Sequence, residues 1–226
     1  ECIANCLNVT NPNHDEWCVG HEVGHNNQGT INLEGGTEVS NNLFSNFCRF
    51  LTGNVTSAGE ALSSSMYEYA QGIPFAKRGG LMRMYYQLYL YYHLGQRNTS
   101  FFPELFKELR RDPLTDHYKN TNNSSLKFVR KVCEIAQEDL TDFFEAWGFF
   151  VPCSNLPISD YGDYTMTVKI TDINRTKATI AKYTRKNREI LFVEDRVDYV
   201  PRQGYFALPG KERRDSHLVG QCGDLG

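Results

Sequence analysis

Through roughly the first two thirds of the chain, apolar residues recur at three- and four-residue spacing, which predicts helices packed on one another. Asp15 caps a predicted helix over about 16–28 that Gly29 stops. Thr37 opens the next, over about 38–51, on the face formed by Val39, Leu43, Phe47 and Phe50. Ser57 with Glu60 forms a capping box for a third that ends near Gly72. Residues 81–94 carry tyrosine and leucine all round, the pattern of a helix buried at the centre. Pro103 starts a helix to about Arg111, and Ser124 or Ser125 starts one through Ala136. Leu140, Phe143, Phe144 and Trp147 mark another, closed by Gly148. The period then changes: Tyr164, Met166, Val168 and Ile170 alternate with polar residues, as in a strand. Ile173 to Ala181 returns to helical spacing, Ile190 to Val193 reads as a second strand, and the charged, glycine-rich stretch from Pro201 packs loosely. The expected class is α+β, mainly α, with a helical subdomain at 1–152 and a small strand–helix–strand segment with a tail at 153–226.

Composition changes this picture little. At 226 residues the chain can bury one substantial core, and 40% hydrophobic with 23% charged residues is ordinary for a globular domain. A net charge of -3 offers no basic face, so nucleic acid is not an expected partner. No run approaches the roughly 20 apolar residues that span a bilayer. The chain opens on Glu1 without a leader, so it reads as a processed or excised piece whose signal lies elsewhere. Seven cysteines (2, 6, 18, 48, 133, 153 and 222) without a CxxC pair suggest one or two disulfides, or else buried thiols. Sequons at Asn8, Asn54, Asn98, Asn122, Asn123 and Asn174 fit a secreted or cell-surface chain.

The chemistry concentrates in CVGHEVGHNNQGTINLEGGTEVSNN, residues 18–42. On a helix His21 and His25 share a face one turn apart and can aim both imidazoles at one ion. Glu22, rotated by about 100° from His21, is placed to take a proton from water rather than to ligate. A catalytic zinc needs a third protein ligand, and Glu38 at the start of the next helix supplies it, Gly35 and Gly36 allowing the turn before it. Glu34 in the loop is the competing third ligand. Asn42, one turn after Glu38, can hydrogen-bond a ligand imidazole.

HEVGHNNQ, GGTEVSNN and DLTDFFEAWGFF together resemble the enhancin-like zinc metallopeptidases, peptidase family M sixty, of the gluzincin type. The resemblance runs from about Asp15 to Pro152. It implies His21, His25 and Glu38 as ligands of one zinc per chain, Glu22 as general base and acid, and a zincin-like fold. It further implies an endopeptidase whose partner is a mucin-type O-glycosylated protein. Gluzincins normally carry a sheet before the HExxH helix, and only about fifteen residues precede it here, so the cleft wall is expected from missing sequence or another segment.

Two alternatives stay open: a general zinc endopeptidase without a glycan requirement, and an inactive zinc-stabilised module that binds glycoproteins. Oxyanion donors are sought on the tyrosine-rich segment, where Tyr86 and His93 are candidates, although most of its residues must be core. Lys77 and Arg78 are candidate contacts to an acidic glycan, weighed against a solvated turn. Trp147 is read as core rather than a sugar platform. A monomer is expected.

Overall fold

The computed structural model describes residues 16–51, 72–78, 81–114 and 124–193. The expected Ser57 helix, the Asp15 cap and the segment from Pro201 lie outside them. Helices dominate: α1 (Glu16–Asn27), α2 (Thr37–Ser40), α3 (Asn42–Leu51), α4 (Leu81–Leu88), α5 (Phe101–Arg111), α6 (Ser124–Ala136), α7 (Thr141–Ala146) and α8 (Ile170–Ile180). The class is α+β, mainly α. The described strands are β1 (Cys153–Ser159) and β2 (Asp163–Val168), an antiparallel hairpin in which Ile158 faces Tyr164 and Ser159 faces Asp163. Among the described residues no helix is long and apolar enough to cross a membrane.

α1 lies against α3 at backbone contact distance, and two glycines permit it. A Cβ on Gly20 would come within 2.6 Å of the Ser45 Cα, and one on Gly24 within 2.5 Å of the Asn41 carbonyl oxygen. The opposite side of α3 sends Phe44 and Phe47 into a ring cluster with Tyr89, Phe102 and Phe106. Beneath it α4 occupies the centre, as its all-round apolar pattern predicts: Met84, Tyr85, Tyr86 and Leu88 are fully enclosed. α4 widens into a π-helical turn over Tyr89–Leu94, from which the Gly95 N–H reaches back to the Leu90 carbonyl.

Several buried polar groups of this core are tied to backbone or to each other, which offsets the cost of burying them. The Tyr85 hydroxyl donates to the Ile31 carbonyl at 2.6 Å, anchoring the loop after α1. Trp147 is core, its indole N–H donating to Gln87 at 2.9 Å. Asp139 accepts the Thr141 N–H and hydroxyl at 2.9 and 2.6 Å, which starts α7 and gives the DLT lead its physical role. Past residue 152, α8 packs on α6 through Ile173, Thr176 and Ile180, and the Arg130 guanidinium donates to Thr176.

Three expectations are corrected. Ile190–Val193 is not a strand: Glu189–Phe192 forms a 3-10 turn. A short apolar run is compatible with either state; here Arg83 and Gln87 of α4 donate to the Val193 and Leu191 carbonyls, replacing a partner strand. The helix expected over 38–51 breaks at Asn41 into α2 and α3. β1 was not among the expected elements; its Pro157 is tolerated in a two-stranded hairpin, where one side of each strand carries no ladder. Of the cysteines, Cys18 is disulfide-bonded, while Cys48, Cys133 and Cys153 are thiols.

Candidate metal centre

The metal site grows from the α1–α3 contact. Because Gly20 and Gly24 bring the two backbones together, the face of α1 carrying His21 and His25 meets the turn that opens α2. That turn is held from below: Ile31 and Leu33 are fully buried, and Gly35 takes φ +75, in the left-handed region that costs glycine nothing. Glu38 then projects from the first turn of α2 toward both histidines. Its Oε2 lies 3.1 Å from His21 Nε2, and its Oε1 lies 3.7 Å from His25 Nε2. One ligand atom from each of the three residues falls within 4.8 Å of the others.

At His21 the hydrogen bond to Asn42 fixes the tautomer that a metal needs. Asn42 Oδ1 lies 2.7 Å from His21 Nδ1, and an acceptor there requires the proton on Nδ1, leaving the Nε2 lone pair toward Glu38. The Asn42 amide also donates to the Glu38 carbonyl at 2.8 Å, so one side chain braces two of the three groups. Gln28 Nε2 lies 3.3 Å from His25 Nδ1, and its Oε1 accepts the Ser40 hydroxyl at 3.2 Å. The Glu38 carboxyl is held below the usual carboxylate range, first by the hydrogen bond from the Tyr161 hydroxyl and then by the fields of His25 and His21. Glu22 is exposed on α1, near enough for its charge to act on the Tyr161 hydroxyl.

Two imidazole nitrogens and a carboxylate form a donor set suited to zinc, and convergence of this kind fits such an ion. A further observation agrees. The buried Asn41 amide nitrogen lies 3.1 Å from both Nε2 atoms, and its Oδ1 has no hydrogen-bond partner among the described residues. A lone pair serves either a donor hydrogen or a metal, so this amide is the group that a metal would displace.

The other sequence candidates fall elsewhere. Glu34 is 3% exposed and stands outside the cluster; burial raises its pKa, against a hydrogen bond from Ser124. Arg78, expected at the surface, is 6% exposed, with its Nε donating to the Ile73 carbonyl at 2.8 Å, so neither a glycan contact nor a solvated turn describes it. Tyr86 is enclosed in the core and presents no hydroxyl to a substrate. His93 stacks on Tyr89 and meets the Thr99 carbonyl at 3.1 Å, apart from the histidine pair. Lys77 is exposed at the end of a 3-10 turn, Phe75–Lys77. Sequence reasoning missed Gln28, Asn41 and Tyr161. The first two stand three residues from His25 and from Glu38, a signal available on the helices; Tyr161, 123 residues from Glu38, left none.

Comparison with known proteins bears on this geometry. The family model for peptidase M60, enhancin and enhancin-like, matches residues 3–148, which contain the whole cluster. Two solved structures are similar at 34% identity, each with a TM-score of 0.73 over 81% of this chain. One is a metallopeptidase in complex with Tn antigen and the other a metallopeptidase from Bacteroides thetaiotaomicron. The chain spans about a third of their lengths, 36% and 32%. No curated protein matches. By the extent of the family match, and with the histidine–glutamate cluster inside it, the chain belongs to the peptidase M60, enhancin and enhancin-like, family.

Proposed function

We propose that the protein is a zinc-dependent endopeptidase acting on mucin-type O-glycosylated proteins. The observation that carries the peptidase reading is the convergence of His21, His25 and Glu38 beside an exposed Glu22. His21, His25 and Glu38 would hold one zinc per chain, and when bound it supplies Lewis-acid polarisation of the scissile carbonyl and of the attacking water. Glu22, whose carboxylate stands free of the ligand cluster, takes the proton from that water and delivers it to the leaving amine. Asn42 and Gln28 hold the two imidazoles in orientation throughout. Replacing Glu22 by Gln retains its shape and removes its basicity. Glu22→Gln is expected to keep zinc, measured by metal analysis, and to lose at least about a hundredfold in peptide hydrolysis. An active, zinc-loaded variant would remove Glu22 from the mechanism.

The glycan requirement is supported by the similarity to a metallopeptidase solved with Tn antigen. A peptidase that needs a sugar must bind it more strongly as the transition state forms, so removing the sugar lowers kcat rather than only raising KM. The full-length protein is expected to cut an O-glycopeptide and to leave the same peptide intact after enzymatic removal of its O-glycans. Equal cleavage of both would favour a general zinc endopeptidase, and binding without cleavage would favour a glycoprotein-binding module.

A further inference from the structure

The β1–β2 hairpin reaches the metal centre from more than a hundred residues along the chain, and three of its side chains touch Gly35, Thr37 and Glu38. The Gly35 N–H donates to the Tyr164 hydroxyl at 2.9 Å. The Thr37 N–H and hydroxyl both donate to Asp160 Oδ2, at 3.2 and 2.9 Å. The Tyr161 hydroxyl donates to Glu38 Oε1.

Each contact meets a specific need of the ligand turn. α2 is only four residues long, and Gly36 at its N-cap has no side chain to accept the first N–H groups. Asp160 serves as that acceptor from outside the helix. Glu38 is about half exposed, and a glutamate on a short exposed turn would otherwise sample several rotamers. The tip itself is built for one conformation. The Asp160 N–H closes on the Gly162 carbonyl at 3.0 Å, and Tyr161 adopts φ +54, uncommon for a side chain of its size. Tyr161 is 76% exposed, so burial does not explain why it is held there. Strained, exposed residues of this kind cluster where a site needs a fixed group.

We propose that the hairpin tip is a positioning element of the metal centre: Asp160 fixes the start of α2, and Tyr161 orients the Glu38 carboxylate as third ligand. The proposal rests on the reading of His21, His25 and Glu38 as a zinc site. It assigns part of the metal centre to sequence that follows the HExxH helix by more than a hundred residues.

The test is zinc affinity, read by competition with a chromophoric chelator, alongside the melting temperature of the metal-free protein. Tyr161→Phe and Asp160→Ala are each expected to weaken zinc by about 10- to 100-fold, the usual range for groups that orient a ligand. Asp160→Asn keeps an acceptor oxygen for Thr37 and is expected to recover most of the loss. The metal-free melting temperature of Tyr161→Phe is expected to match the wild type, since an exposed hydroxyl contributes nothing to the core. Tyr161→Phe is decisive if Asp160→Ala fails to fold. Zinc affinity within twofold of wild type in Tyr161→Phe would overturn the role of Tyr161, and Asp160→Asn as weak as Asp160→Ala would overturn the clamp. A wild type that binds no zinc would instead defeat the metal reading itself.

Discussion

Side chains around the histidine pair divide into those that ligate and those that orient; Glu34, outside that cluster, is a buried carboxyl whose charged form burial disfavours. Its Oε2 has no hydrogen-bond partner among the described residues, and burial pushes its pKa above the ordinary value of about 4.3. An acid whose folded pKa is raised contributes stability that is fully present below its unfolded pKa. That stability is lost as pH rises through the folded value. Glu34→Gln cannot ionise and escapes this loss. In chelator-treated protein, the difference in urea midpoint between Glu34→Gln and wild type is expected to grow from near zero at pH 4 in favour of the variant toward pH 8. A difference that stays flat with pH would mean the carboxyl ionises without cost. The result also separates Glu34 from Glu38, whose pKa moves the opposite way, first through the hydrogen bond from the Tyr161 hydroxyl.

Among elements, the contact of α1 with α2 and α3 decides whether the site exists. Gly24 sits between the two histidines, and a methyl there would press on the Asn41 carbonyl at 2.5 Å. Backbone cannot yield as a flexible side chain can, so the helices must part. Gly24→Ala is expected to destabilise by about 1–3 kcal/mol, the usual cost of forcing atoms into a packed contact, and to weaken zinc as Glu38 moves from the histidines. Gly29→Ala, with nothing within 4 Å of the added methyl, serves as control and is expected to be close to neutral. Urea denaturation and chelator competition read the two effects. Equal behaviour of the two alanines would show that the close approach is not required.

Across the whole molecule, a metal at this site would join α1 to α2 over the loop between them and thereby stabilise the fold. An ion that binds only the folded state adds RT ln(1 + [L]/Kd), about 2.7 kcal/mol at a hundred times Kd. Zinc is therefore expected to raise the melting temperature, a chelator to reverse the rise, and Glu38→Ala to abolish most of it. Full zinc stabilisation of Glu38→Ala would move the third ligand elsewhere. The rest of the fold supports this bridge from beneath and behind. The aromatic cluster under α3 seats the helix against which α1 packs, the Tyr85 bond to Ile31 anchors the loop, and Ile158, Tyr164 and Met166 join the hairpin to the same core.

The legible part of this protein is the part governed by local periodicity. His21 and His25 share a face because four residues make about one turn, and the burial of α4 follows from apolar residues on every side. The class and most of β2 also follow from period alone, although Ile170, read into the strand, opens α8 instead, and the family resemblance rested on contiguous motifs. What sequence could not determine depends on partners distant along the chain. Ile190–Val193 became a 3-10 turn because Arg83 and Gln87 took its carbonyls, and Arg78 was drawn inward by the Ile73 carbonyl. β1 formed through pairing with β2 despite Pro157. Asp160 and Tyr161 reached Thr37 and Glu38 only through closure of the hairpin onto the ligand turn. Local sequence determines which face a residue occupies on its own element; which group stands opposite that face is decided by packing between elements, and a single chain carries no period that encodes it.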